Sequence, residues 1–332
     1  MNGAVCGALL AMVAFAIAAP RVGRHLSPAL ATRLLVPASI ATAASTVFVL
    51  AALAATWVGQ LPAIAALGAW SSTVLGASDP VPRPVAVLSL VLLTAAIVWT
   101  VTWSVHRTRA LLAVYRDYRD LVPIGPLVVL ESTAVDAFAT PAPAGRIVVT
   151  SGLWRALSPD ERRVVLAHER SHLAHRHTWW TLAADLAAAV NPMLRPTSAT
   201  VRHAVERWAD EDAAARVANR ALVARTIART ALLQHDHVTA GSGFAQPATG
   251  GDVPQRVRAL LEPPPRRRPF ALIALCAVLA VTAATTLSVQ RSSDHLFDRA
   301  DTASRLTMQC TNGNLARAPR TGGRVCTGRY RG

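Results

Sequence analysis

The chain has 332 residues, of which 52% are hydrophobic and 16% are charged, and its mean hydropathy is +0.33. These values exclude an intrinsically disordered chain and fit poorly with a purely soluble globule. The net charge of +15 comes from arginine without any lysine, and no dense basic stripe with interleaved aromatics is present, which argues against direct binding of nucleic acid. We therefore expect a membrane protein whose partners include the lipid bilayer.

Four uncharged apolar runs are long enough to cross a bilayer as helices, which takes about 20 residues. They cover residues 3–19, 38–58, 85–105 and 270–289. The first run could instead be a cleaved secretory signal, because Ala16-Ile17-Ala18 resembles a cleavage site, but no basic residue precedes it. We predict a membrane domain over residues 1–105 with three transmembrane helices, and a fourth transmembrane helix over residues 270–290.

The arginines near the ends of these runs predict the orientation of the chain. Arg21, Arg24 and Arg33 follow the first run, Arg107 and Arg109 follow the third, and residues 266–268 precede the fourth, whereas the loop 59–84 contains only Arg83. Because cytoplasmic loops are enriched in basic residues, we expect residues 106–269 in the cytoplasm and both the N-terminus and the tail 291–332 outside.

Four cysteines divide into two groups. Cys6 and Cys276 lie in predicted spans, where a thiol usually behaves as a small apolar side chain. Cys310 and Cys326 lie in the tail, which is too short to form a core without a staple, and an oxidising compartment would allow them to form a disulfide.

A shorter apolar stretch, residues 179–190, contains Asp185 and is too short to span a bilayer. We interpret it as a buried or interfacial helix with Trp179 and Trp180 near the level of the lipid headgroups.

The segment before it contains the pattern that indicates chemistry. Ser158-Pro159-Asp160-Glu161 is typical of a helix start, with Ser158 as the cap, Pro159 in the first turn and Glu161 completing a capping box. The predicted helix continues into the motif HExxH over residues 168–172, where His168 and His172 lie one turn apart on the same face. Two such imidazoles can bind one cation, and Glu169 is placed to act on the water that the metal activates.

A catalytic zinc keeps three protein ligands and one open position, so a third ligand is needed. Glu206 and Asp210 are four residues apart on one predicted helix, and we assign Glu206 as the ligand and Asp210 as the group that orients an imidazole. The alternative is a solvated acidic patch paired with arginines. His203 could approach the site, whereas His175 and His177 indicate a solvated or headgroup-facing patch.

Residues 146–150 have the character of a strand. Arg146, Ile147, Val148, Val149 and Thr150 lie between two glycines, just ahead of the predicted active-site helix. They could form a sheet edge to which an extended substrate adds by backbone pairing, or an ordinary structural strand.

Together these residues resemble the BlaR/MecR type of membrane zinc peptidases, the antirepressors of beta-lactam resistance and their relatives. The resemblance covers about residues 130–220 and rests on Ala137-Phe138-Ala139, on residues 145–153, on HExxH, on Asn191-Pro192 and on residues 206–210. Family members similarly place a cytoplasmic zinc domain between the third and fourth spans. HtpX-like quality-control peptidases belong to the same clan, and Asn191-Pro192 and the topology separate the two branches.

The resemblance implies a predominantly α membrane protein that carries an α+β zincin-like, or gluzincin, metallopeptidase domain. It further implies one Zn²⁺ per chain on His168, His172 and Glu206, with Glu169 as the general base and Asp210 as the orienting carboxylate. One departure matters, because the tail is far too short for the penicillin-binding domain of the antibiotic-sensing members, so direct beta-lactam sensing is unsupported.

The expected activity is cleavage of a cytoplasmic protein such as a transcriptional repressor in signal transduction. The alternatives are an HtpX-like protease that degrades damaged membrane proteins, and a non-catalytic signalling protein in which zinc only stabilises the fold. The sequence leaves the oligomeric state open.

Overall fold

The computed structural model describes residues 2–68, 70–79, 81–119, 127–140, 145–240, 252–263 and 269–316. The first part of the chain forms α1 (Asn2–Gly23), α2 (Pro28–Val58), α3 (Pro62–Gly68), α4 (Ser72–Ser78) and α5 (Arg83–Arg119). Within the described residues, three helical segments are long and apolar enough to cross a membrane: Gly3–Gly23, Pro28–Val58 and Arg83–Asp117. They contain the first three predicted spans, and they support a membrane protein.

The second part of the chain contains a small sheet and seven helices within the described residues. Its elements are β1 (Leu127–Leu130), β2 (Ala137–Ala139), β3 (Ile147–Thr150), α6 (Ser151–Ala156), α7 (Pro159–Ala174), α8 (His177–Val190), α9 (Arg195–Val217), α10 (Arg220–Ala240), α11 (Val253–Leu261) and α12 (Pro269–Ala316). A short 3-10 helix, Pro192–Leu194, joins α8 to α9.

The predicted fourth span lies within α12, which packs against α1 and α2 and continues to Ala316. Its membrane crossing, and the side of the membrane on which each domain lies, stay predictions. The predicted Cys310–Cys326 pair falls outside the residues whose side chains the structure describes. Cys6 and Cys276 are free, exposed thiols.

The sheet has the order β1-β3-β2, with β3 parallel to β1 and antiparallel to β2. Val148 in β3 is opposite Val128 on one side and opposite Phe138 on the other. The prediction of a substrate-binding edge at residues 146–150 is therefore wrong, because Ile147–Thr150 is the central strand and is paired on both sides. All four of its residues are buried, as expected for a run of β-branched residues covered on both faces.

The turn from β3 into α6 depends on Gly152. A Cβ atom at this position would lie 2.5 Å from the backbone oxygens of both Thr133 and Ala134. Only glycine allows this approach, which fixes the end of β3 against the loop that leads into β2.

The α8–α9 hairpin packs against the predicted membrane helices. Ala184 and Leu194 belong to one hydrophobic cluster with Phe15 of α1 and Leu35 of α2. At the tip of the hairpin, the Asn191 side chain accepts a hydrogen bond from the backbone N–H of Met193 and donates one to Thr46 Oγ1, both at 3.0 Å. The hydrophobic core therefore continues across the boundary predicted at residue 105.

Candidate metal centre

The start of α7 determines where its functional side chains point. The Ser158 backbone N–H donates to Glu161 Oε2 at 2.8 Å, Ser158 Oγ accepts from the Glu161 N–H at 3.4 Å, and Pro159 occupies the first turn. Arg229 of α10 also donates to both carboxylate oxygens of Glu161, at 2.7 and 2.9 Å. The predicted capping box is present, and it is tied to α10 by a buried carboxylate.

Two turns further along α7, the side chains of His168 and His172 meet Glu206 of α9. The two Nε2 atoms are 3.1 Å apart, and Glu206 lies 3.5 Å from His168 Nε2 and 3.7 Å from His172 Nε2. One donor atom from each residue lies within 4.8 Å of the others, and this trio is the candidate metal-binding group among the residues that the structure describes. Two imidazoles and a carboxylate form the donor set of a catalytic zinc with one open position, so the residues fit that ion.

Asp210 lies one turn beyond Glu206 and faces the back of the first imidazole. Its Oδ1 atom is 3.0 Å from His168 Nδ1, so His168 presents Nε2 to the trio while Nδ1 faces a carboxylate. Burial alone would lower the pKa of His168, but the hydrogen bonds with Asp210 and Glu206 outweigh burial and raise it to about 10 in the metal-free site. The structure therefore places Asp210 where the sequence predicted an orienting group.

Arg256 of α11 completes this arrangement, although no feature of the sequence predicted it. Its Nε and Nη2 atoms donate to the two carboxylate oxygens of Asp210 at 2.8 and 2.7 Å, and its Nη1 atom lies 3.2 Å from Glu206 Oε2. Burial would raise the pKa of Asp210, but the hydrogen bond from Arg256 holds it below its usual range. Arg256 is one of 34 arginines and lies in no motif, so no signal in the sequence distinguished it.

His177 was predicted to be solvated, and this prediction is wrong. The side chain is only 1% exposed, and its Nδ1 atom lies 3.1 Å from His172 Nδ1. Burial, followed by the charge of His172, lowers the pKa of His177 to about 3, so its ring is neutral. Arg176, with a positive φ of 53°, turns the chain between α7 and α8 and brings His177 back towards the site. Because five residues is not a same-face helical spacing and the turn at Arg176 leaves no pattern in the sequence, no sequence signal indicated this position.

The other two histidines considered from the sequence have different partners. His175 Nε2 lies 2.8 Å from Asp212 Oδ2, and the ring stacks on Trp208 with 4.4 Å between centroids. His203 pairs with Asp252 through Nδ1, and it lines a separate pocket. The structure therefore does not bring His203 into the metal-binding trio.

Glu169 faces a cavity of about 430 Å³ that the trio also lines. The carboxyl is 8% exposed, and burial raises its pKa to about 7, which makes it a stronger proton acceptor than an exposed glutamate. Ala137–Ala139 of β2 borders the cavity on one side, and Val223, Thr226 and Ile227 of α10 border it on the other.

Residues 122–236 match the family described as Peptidase family M48. The matched segment contains the whole metal-binding trio and Glu169, and it supports a metallopeptidase. Over 94 residues the chain is 39% identical to a protein named Protease HtpX homolog from Syntrophobacter fumaroxidans. The aligned segment covers 25% of this chain and 32% of that protein. Over 50 residues it is 46% identical to a Protease HtpX homolog from Thermoplasma acidophilum, and this segment covers 15% of this chain and 16% of that protein.

The matched segments thus span about a third or less of these curated relatives. No solved structure matches the chain. The similarities support the M48 metallopeptidase family for the matched segment, whereas the BlaR/MecR subtype stays a prediction.

Proposed function

We propose that this protein is a zinc-dependent endopeptidase that hydrolyses polypeptide chains beside a membrane. The observation that carries the proposal is the convergence of His168, His172 and Glu206 on one point in the wall of a cavity that also contains Glu169. The family match over residues 122–236 supports the same reaction class.

His168, His172 and Glu206 would hold one zinc ion. When bound, zinc activates a water molecule for attack and polarises the scissile carbonyl. Asp210 would keep the proton of His168 on Nδ1, and His177 would accept a hydrogen bond from Nδ1 of His172, so that both Nε2 atoms stay available.

Glu169 would act as the general base and then as the acid. Its carboxylate would take a proton from the attacking water and deliver it to the leaving amine nitrogen. Burial favours this transfer, because it keeps most of the surrounding water away from Glu169. Its raised pKa, about 7, lies close to neutral pH, so the carboxyl can both take up and release the proton. A zinc that served only to stabilise the fold would not need this buried carboxyl, which argues against the non-catalytic alternative.

The shape of the cavity favours a polypeptide as the substrate. It extends from β2 across α7 to α10, and its walls combine strand backbone with apolar side chains. An extended chain can contact both walls at once, with its backbone along β2 and its side chains against the apolar residues of α10.

Two substrate classes follow from the two branches of the clan. The similarity to the two Protease HtpX homologs favours membrane-protein quality control, and we place it first. Cleavage of a cytoplasmic repressor in signal transduction is the second candidate, and Asn191-Pro192, which ties the hairpin tip to α2, is the feature that favours it.

The reaction is tested with the full-length protein in detergent, using casein as the probe substrate and metal analysis of the same sample. We expect a chelator to abolish cleavage and Zn²⁺ to restore it. We expect Glu169→Gln to retain the metal and to lose activity by about 10²–10⁴-fold, as removal of a general base does. Glu131→Gln, at an exposed carboxylate after β1, is the matched control and should cleave at the wild-type rate.

A zinc-loaded Glu169→Gln protein that cleaves as fast as the wild type would contradict the proposal. The substrate class is tested by comparing the proteomes of cells with wild-type and Glu169→Gln protein. One cleaved soluble protein would identify signalling, and many membrane-protein fragments would identify quality control.

A further inference from the structure

A second polar cavity, of about 260 Å³, lies between α5 and the α8–α9 hairpin. Its wall includes the side chains of Trp99, Trp103, Asp185, Arg195, Ser198 and Arg202. None of them belongs to the metal centre, so a ligand bound here would be independent of the proposed peptidase activity.

The cavity carries one uncompensated positive charge. Asp185 Oδ1 accepts hydrogen bonds from Ser198 Oγ and from Arg202 Nη1, so the charge of Asp185 is neutralised within the cluster. Arg195 is exposed, and among the described residues its side chain has no hydrogen bond and no ion pair. An incoming anion would meet Arg195 first, with Arg202 beside it.

The contacts of the hairpin indicate the depth of this cluster in a bilayer. Thr46 accepts a hydrogen bond from Asn191 at the hairpin tip, and it lies twelve residues before the end of α2. At helical rise this is about 18 Å, which places Thr46 near the middle of a hydrocarbon layer of about 30 Å. Trp99 and Trp103 follow the start of α5 by 16 and 20 residues, about 24 and 30 Å, which places them near the opposite interface.

Arg195 is the first residue of α9, next to the hairpin tip. Its long side chain extends from there into the cavity, at the level of the two tryptophan rings. Tryptophan is enriched at the level of lipid headgroups, and an arginine that starts below that level extends its guanidinium towards it. A guanidinium without a counter-charge is costly at this depth. The position therefore calls for an anion that the membrane itself supplies.

We propose that this cavity binds the phosphate of an anionic phospholipid in the leaflet on the peptidase side. A phosphate offers the oxygen pairs that guanidinium groups bind well, and the rings of Trp99 and Trp103 would border the glycerol and upper acyl region. A lipid without net charge is disfavoured, because Arg202 already balances the charge of Asp185 and Arg195 leaves the cluster with a net positive charge.

The test is native mass spectrometry of the full-length protein in detergent, titrated with palmitoyl-oleoyl-phosphatidylglycerol or with the corresponding phosphatidylcholine. We expect one phosphatidylglycerol per chain to bind at least about fivefold more tightly than phosphatidylcholine, the effect of about one basic residue at a membrane surface. Arg195→Gln should remove most of this preference and Arg195→Lys should keep it. The fold should tolerate both variants, since the Arg195 side chain is exposed and has no hydrogen bond or ion pair among the described residues.

Arg216→Gln is the matched control, because Arg216 is an exposed arginine on the same helix, 21 residues away. It should bind phosphatidylglycerol like the wild type. An unchanged preference in Arg195→Gln, or an equal loss in Arg216→Gln, would overturn the site. Inorganic phosphate that displaces the lipid at equal concentration would overturn the lipid as its ligand and identify a free phosphate site.

Discussion

Helix α9 contributes to one Asp–Arg pair in each of its two halves, and the two pairs are buried to different extents. In its second half, Asp210 and Arg256 have side chains that are 2% and 8% exposed, and they form a bidentate pair. In its first half, Arg202 binds Asp185 of α8, and these side chains are 51% and 21% exposed. The same two residue types therefore form a buried ion pair beside the candidate metal centre and an exposed ion pair at the hairpin.

This difference determines what each pair contributes. A buried carboxylate without its partner is strongly destabilised, so Arg256 and His168 are needed to keep Asp210 ionised next to the metal-binding trio. The exposed pair lies at the level of the lipid headgroups, where water and ions still screen it, so it contributes little to stability. Arg195 beside it has no partner among the described residues and can bind a ligand. On one helix, the buried pair therefore positions a metal-site imidazole, and the exposed pair borders the proposed lipid site.

The sharpest test of this contrast is Arg256→Gln. Removing one partner of a buried pair leaves an uncompensated charge and costs about 3–5 kcal/mol, so we expect a large drop in the thermal midpoint of the metal-free protein in detergent. Arg258→Gln, at an exposed arginine on the same helix, is the control and should melt like the wild type. Equal midpoints for Arg256→Gln and Arg258→Gln would show that the Asp210 pair is not a strong one.

A second test addresses the groups behind the two imidazoles. His177→Leu removes the nitrogen that faces His172 Nδ1, and loss of such a partner weakens metal binding by about 10–100-fold. His177→Asn can place an oxygen near the lost Nδ1 position and should recover part of the affinity. The measurement is competition for Zn²⁺ with a fluorescent chelator, and equal affinities for the Leu and Asn variants would indicate that His177 only fills space.

The smallest effect is expected from Asp185→Asn. Because the Asp185–Arg202 pair is exposed at the level of the lipid headgroups, where water screens it, its loss should change the free energy of unfolding by less than about 1 kcal/mol, and the thermal midpoint should barely move. A destabilisation as large as that of Arg256→Gln would remove the contrast between the two halves of α9.

Local physical chemistry explains the parts of the molecule that could be predicted from the sequence. Ser158, Pro159 and Glu161 predicted the start of α7, and the spacing of four predicted that His168 and His172 share a face. The lengths of the apolar runs predicted the first three spans. Each of these features depends on residues within a few turns of one another, so periodicity and capping rules suffice.

Other features depended on contacts between distant residues. Residues 146–150 are β-branched and apolar, which suits a central strand as well as an edge, and only pairing with both β1 and β2 decided between them. His177 looked solvated because the turn at Arg176 was not visible in the pattern.

The sequence by itself determined the chemistry available to this protein: three candidate metal ligands, a nearby glutamate and apolar runs suited to a bilayer. The tertiary structure alone decided that Arg256 and His177 stand behind the ligands, and that Arg195 has no partner among the described residues. The reason is that a helix period relates residues only along their own helix, whereas the packing of α7, α8, α9 and α11 against one another determines which charges lose contact with water.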